Sequence, residues 1–169
     1  DVEYLVASPD GAQVYALSGS TGSVALFNRD PLDGSLSSGP VFVDAGLAGV
    51  SSGVFSADGR YLYLTASTAN RLVQLERITD AGAGNFGNLS AKSSIEQGAG
   101  DTQGLLNPRR IAISADGHHL YVTALGGSSV AWHGPAPARH QTPGKFINND
   151  NFTILHHVLL VTEEQAMGA

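Results

Sequence analysis

Three times the chain spells Ser-(Pro/Ala)-Asp-Gly with a tyrosine four residues beyond the glycine. The copies are Ser8-Pro9-Asp10-Gly11 with Tyr15, Ser56-Ala57-Asp58-Gly59 with Tyr63, and Ser114-Ala115-Asp116-Gly117 with Tyr121. Ser8 to Ser56 is 48 residues and Ser56 to Ser114 is 58. Self-similarity at a spacing of tens of residues marks a repeat architecture, in which each unit buries its apolar face against the next. The fold must therefore be built from like units.

The alignment runs well past the turn. Eight residues after each tyrosine stand Ser23, Arg71 and Ser129, followed by Val24, Leu72 and Val130, then Ala25, Val73 and Ala131. Each unit enters its turn from an apolar run (Tyr4-Leu5-Val6-Ala7, Val54-Phe55, Ile111-Ala112-Ile113) and leaves it along Leu62-Tyr63-Leu64-Thr65 or its counterpart. A Gly/Ser/Asn break then precedes a third strand such as Val24-Ala25-Leu26-Phe27. Gly34-Ser35-Leu36-Ser37 and Gly87-Asn88-Leu89-Ser90 supply a fourth strand in two units, and the extra residues of the second unit fall in Gly-rich loops around it. Short strands at regular spacing with Asp-Gly turns indicate an all-β fold, and four antiparallel strands per repeat is the unit of a propeller blade. A type I′ hairpin turn accounts for Asp-Gly.

Composition narrows the function classes. The net charge is −6, with nine Lys and Arg in 169 residues, which argues against a nucleic-acid surface because that affinity comes from clustered cations. Cysteine is absent, which removes disulfides, thiolate metal sites and cysteine nucleophiles. No apolar run reaches the roughly 18–20 residues of a spanning helix; the longest, Ile154 to Val161, is broken by His156 and His157. The chain starts at Asp1 and enters a strand at once, so it reads as a piece of something longer from which a targeting segment could be missing.

The pattern Ser-(Pro/Ala)-Asp-Gly-x-x-(Leu/Val)-Tyr, followed by Ser-Val-Ala-(Leu/Trp), resembles the YVTN/lactonase-type β-propeller repeat over residues 1 to about 133. The resemblance implies a partial propeller of about three blades, with units near 1–48, 49–106 and 107–134, out of the six or seven usual in such rings. It also implies that Asn107-Pro108-Arg109-Arg110 lies near the central channel. Lactonases of this kind carry Gly-Pro-Arg-His there, with the Arg holding an anionic substrate; Arg109 matches that Arg, while Arg110 stands in place of the His. A guanidinium suits a lactone or phosphate because it donates two parallel hydrogen bonds. Losing the His removes the obvious proton-transfer group. Arg109 and Arg110 are the expected ligand-binding residues, and Arg109 is the single weak catalytic candidate. Repeats of this kind are frequent in exported bacterial proteins, which leans the setting toward periplasm or outside the cell.

Other signals read as architecture. Asp10, Asp58 and Asp116 offer one carboxylate per turn, whereas a calcium site needs several converging oxygens. His118-His119 and His156-His157 point to opposite faces if on strands and match no zinc spacing. No metal and no cofactor is expected. Gly82 to Gly87 spells a dinucleotide-like glycine pattern without the βαβ surroundings that give it meaning. Residues 135–169 do not repeat. Gly144-Lys145-Phe146 is a degenerate fourth strand at best, and 152–162 fits either a helix capped by Asp150 or Asn151 or an exchanged strand.

Three readings of function remain open. The first is a non-catalytic binding or scaffold module that self-associates through its open blade faces, most simply two chains forming a six-bladed ring. The second is a lactonase-type hydrolase acting on a sugar lactone. The third is a fragment without independent activity.

Overall fold

The computed structural model of the chain describes residues 1–99, 102 and 104–126, and the backbone of 129–133. The expected features of the tail, Gly144 to Phe146 and 152–162 among them, lie outside the described residues. Strands β1 (Tyr4–Ala7), β2 (Gln13–Ser18), β3 (Ser23–Arg29) and β4 (Leu36–Val43) form one antiparallel meander in the order β1-β2-β3-β4. A 3-10 turn at Ala45–Leu47 follows, capped by Asp44, whose Oδ1 accepts from Gly46 N at 2.6 Å. It leads into β5 (Val50–Phe55), β6 (Tyr61–Ala66), β7 (Arg71–Arg77) and β8 (Leu89–Glu96), a second sheet of the same order. The third sheet contains β9 (Pro108–Ile113), β10 (Leu120–Ala124) and β11 (Ser129–His133). The fold is all-β, a partial propeller.

The sheets stack face to face, and the core lies between them. Tyr15, Leu17, Val24 and Leu26 of the first sheet meet Phe55, Leu62, Leu64 and Leu75 of the second. Tyr61, Tyr63, Leu72 and Ile95 on the other face of the second sheet meet Leu120 and Val122 of the third. All six residues of β6 are buried because the strand is covered on both faces, so its sequence shows little polar alternation. Full burial of a leucine such as Leu62 or Leu64 is worth about 1.5–3 kcal/mol, and these contacts hold the sheets together.

The Asp-Gly turn departs from the expected type. A type I′ turn needs positive φ at both central residues, but only the glycines (Gly11 φ 69°, Gly59 φ 69°, Gly117 φ 73°) adopt it. Gly11 N donates to Ser8 O and Ser8 N to Gln13 O, giving a longer loop that begins with a type I-like turn and places glycine next in the left-handed region. The aspartate has a defined role in it. Asp10 Oδ1 accepts from Ser8 Oγ (2.5 Å) and Ala12 N (3.1 Å), while Gln13 N donates to Ser8 Oγ (3.0 Å). Asp58 repeats this with Ser56 Oγ (2.5 Å) and Arg60 N (3.1 Å), and Asp116 repeats it with Ser114 Oγ and His118 N (3.0 Å). At Asp10 and Asp58 partial burial opposes ionisation, but the bonds to the carboxylate outweigh it and the pKa lies below 3.8. At Asp116 the Ser114 hydroxyl is the main cause of the same shift.

The fourth strands begin at Leu36 and Leu89, two residues after the expected glycines. Gly34 (φ 78°) and Gly87 (φ 85°) are turn residues instead. The first turn closes through Gly34 N to Asp30 O; the second spans the longer loop between Ile78 and Asn88.

Candidate functional site

The first strand of each sheet lies on the inner side of the stack, with β5 between β1 and β9. In the repeat register Tyr4, Ser52 and Arg110 are equivalent, as are Glu3, Ser51 and Arg109. Their entry ends converge. Ser51 Oγ lies 3.3 Å from Pro108 O and 3.2 Å from Arg109 O, donating across the second interface. Arg110 Nη1 donates to Ser51 O (3.1 Å), and its guanidinium stands over the Tyr4 ring, 5.8 Å from the centroid. One arginine thus ties three consecutive sheets together at the entry end of their first strands. Cation–π contact of this kind is worth about 0.5–1 kcal/mol where exposed.

Local chemistry sets the position of the arginines. Asn107 takes a left-handed backbone (φ 55°), a conformation asparagine tolerates better than most residues, and its N–H donates to Asn70 Oδ1 at 2.7 Å. Pro108 is buried, which places Arg109 and Arg110 at the rim, both exposed. Among the described residues the Arg109 side chain makes no hydrogen bond or ion pair. Two adjacent guanidiniums, one tethered and one without a partner among the described residues, form a local cationic spot on an acidic chain. Glu3, at the Arg109 register in the first sheet, directs its Oε1 to within 3.1 Å of the point where a Cβ on Gly19 would stand.

His118 and His119 are elsewhere. His118 and His119 sit in the loop joining β9 to β10, at the opposite end of the strand from Arg109. His119 Nδ1 is 3.9 Å from Asp116 Oδ1. Among the described residues no three His, Asp or Glu side chains converge as a cation would require. The Gly82 to Gly87 stretch belongs to the loop between β7 and β8.

Sequence reasoning missed the most buried charge among the described residues. Arg77, at the end of β7, has a side chain only 1% exposed and reaches across the first interface. Its Nη2 donates to Asp10 Oδ2 (2.7 Å) and Gln13 Oε1, its Nε to the Tyr15 hydroxyl (3.1 Å), and its Nη1 to Gly59 O (3.3 Å). The Phe86 ring covers it at 5.1 Å. Tyr15 in turn donates to Gly87 O at 2.6 Å, and burial pushes its phenol up to about 12. A signal was present in the register: Arg29 and Arg77 hold the same position in their units, 48 residues apart.

A family model described as "Lactonase, 7-bladed beta-propeller" matches residues 2–135. The chain belongs to the lactonase family of seven-bladed β-propellers. No curated protein sequence matches it. Among solved structures this lactonase-type chain resembles a Lactobacillus plantarum protein at 22% identity and TM-score 0.67, covering 93% of this chain and 40% of that one. A candidate 6-phosphogluconolactonase from Bacteroides uniformis matches at 20% identity and TM-score 0.64, with 79% and 36% covered. The periplasmic gluconolactonase of Pseudomonas aeruginosa matches at 22% identity and TM-score 0.56, with 81% and 38% covered. The lactonase-type chain therefore spans about two-fifths of the length of these relatives. Among its described residues no helix is long and apolar enough to cross a membrane.

Proposed function

We propose that this lactonase-type chain binds an anionic sugar acid or its lactone at the channel end of its inner strands, through Arg109 and Arg110. The observation that carries this reading is the pairing of a tethered guanidinium, Arg110 on Ser51 O and Tyr4, with the unengaged guanidinium of Arg109 beside it. Arg110 has a fixed position, and Arg109 has its full donor set to offer to a carboxylate, phosphate or lactone carbonyl. The names of two structural relatives, a gluconolactonase and a candidate 6-phosphogluconolactonase, support the same ligand class. Binding rather than hydrolysis is the reading for the chain by itself, because the family's His position is occupied by Arg110 and the described histidines lie at the far end of the third sheet.

Isothermal titration with 6-phosphogluconate and with gluconate tests this. A charge-assisted hydrogen bond is worth about 1.5–3 kcal/mol, so Arg109→Ala should weaken 6-phosphogluconate binding by roughly ten- to a hundredfold. Unchanged affinity in the Arg109→Ala/Arg110→Ala double variant overturns the assignment. Hydrolysis of gluconolactone, followed by acid release, tests the hydrolase reading on the same samples. Activity that is lost with Arg109→Ala favours it over binding alone.

A further inference from the structure

Arg109 has a counterpart of opposite charge two sheets away. Glu3, Ser51 and Arg109 occupy one repeat position, at the entry of the first strand of each sheet. The backbone treats the last two alike. β6 pairs Ala66 with Val50 and Thr65 with Ser52, which leaves Ser51 as the extra residue of a β-bulge. β10 pairs Ala124 with Pro108 and Thr123 with Arg110, which leaves Arg109 as the extra residue of an equivalent bulge. A bulge takes a residue out of the ladder and re-aims its side chain. Glu3 N donates to Leu17 O (2.9 Å), so its backbone is anchored to β2 just ahead of β1.

One extended molecule can bridge the two charges. Arg110, the residue after Arg109, places its guanidinium 5.8 Å from the centroid of the Tyr4 ring, and Tyr4 is the residue after Glu3. A side chain from β9 therefore reaches β1. Glu3 and Arg109 are both exposed, and among the described residues neither side chain has a hydrogen bond or ion pair. Opposite charges this near that do not pair leave room between them. Ser51, at the intervening sheet, turns its hydroxyl onto Pro108 O (3.3 Å) and Arg109 O (3.2 Å) rather than toward either charge.

We propose that Glu3 is a specificity-determining residue of this rim, accepting hydrogen bonds from the hydroxyl groups of a polyhydroxy acid whose anionic end Arg109 holds. This role rests on the anion-holding reading of Arg109 and adds selectivity at the ligand's other end. An ionised carboxylate is acceptor-only and can take neighbouring hydroxyls on its two oxygens. Its charge makes such bonds about twice as strong as neutral ones. The same charge repels a second anionic group, which fixes the direction of the ligand across the rim. A carboxylate of equal length without hydroxyls leaves Glu3 facing an apolar stem, so the rim selects sugar acids over simple fatty acids.

Isothermal titration of the full chain with gluconate and with hexanoate separates the two ends, with circular dichroism to verify folding. Both ligands carry one carboxylate on a chain of the same length, and only gluconate has hydroxyls. The wild type should prefer gluconate by about tenfold or more. Glu3→Ala should remove most of that preference while leaving hexanoate binding no weaker. Glu3→Gln, which keeps an acceptor without the charge, should lie between. Arg109→Ala should weaken both ligands alike. A preference that survives Glu3→Ala, a wild type with none, or parallel weakening of both ligands by Glu3→Ala overturns the role of Glu3 while Arg109 keeps its own. Affinities untouched by Arg109→Ala remove the anion site, and the role of Glu3 falls with it.

Discussion

Removing Arg77 isolates the first inter-sheet contact from the rest of the fold. Arg77→Met keeps much of the apolar stem under Phe86 and deletes the guanidinium. It leaves Gln13 Oε1 without its donor in a side chain 1% exposed, takes a donor from the Tyr15 hydroxyl, and frees Asp10 Oδ2. An orphaned buried acceptor costs about 1–3 kcal/mol, and breaking a buried pair from one side costs about 3–5. Asp10 is 43% exposed and can rehydrate, which discounts the second figure, so the expected loss is about 2–3 kcal/mol. Arg60 provides the control. Its Nη2 stands at the same 2.7 Å from Glu76 Oε1, but the pair is open to solvent, which screens it, and Arg60→Met should cost much less than Arg77→Met. Urea unfolding measures both, the midpoints giving the difference provided the slopes agree. An Arg77→Met midpoint equal to that of Arg60→Met would refute the claim that burial, rather than contact distance, sets the worth of these pairs.

Two further outcomes follow from the geometry. A Cβ on Gly53 would stand 2.7 Å from Leu64 Cδ2, and Leu64 is fully buried; Gly53→Ala should therefore destabilise by about 1–3 kcal/mol in the same assay despite alanine's better backbone propensity, and a stabilised variant would show that the interface yields. Stability should also depend on pH at both extremes. The three turn aspartates have folded pKa values below the ordinary 3.8, so their contribution is present above that value and lost as pH falls through the lower folded values. Tyr15 and Tyr63 are held up to about 12 by burial, so stability is retained below pH 10 and falls as pH climbs from there toward 12. Absorbance titration should show these two phenols ionising near 12, and their release near 10 in a folded sample would contradict the burial.

What could be read from the chain alone was what repeats locally. The strand order, the turns and the loop that absorbs the longer second unit all follow from short-range patterns that recur in register. The turn type was misjudged because Asp-Gly is shared by several turns, and the hydroxyl of Ser8, which selects among them, lies outside the dipeptide. Arg109 and Arg110 were legible as a pair at a strand entry. That Arg110 reaches back to Tyr4 across two sheets was not, since no local pattern encodes a partner more than a hundred residues away. Arg77 was overlooked for a related reason. Its acceptors come from a different unit, 62 to 67 residues earlier, and an arginine ending a strand ordinarily faces water.

The two oxygens of Asp10 have consequences for how such a protein can grow. One oxygen closes the loop of its own unit, and the other receives an arginine from the unit that follows. Local shape and neighbour recognition therefore rest on a single side chain, and a gene segment encoding one unit carries a socket for its successor together with a plug for its predecessor. Tandem duplication of that segment creates a matched joint at once, without compensating changes elsewhere. At the second interface the described polar contacts are of another kind, Asn107 N–H to Asn70 Oδ1, Ser51 Oγ to Pro108 O and Arg110 Nη1 to Ser51 O, so neighbouring units of one chain are joined by different devices.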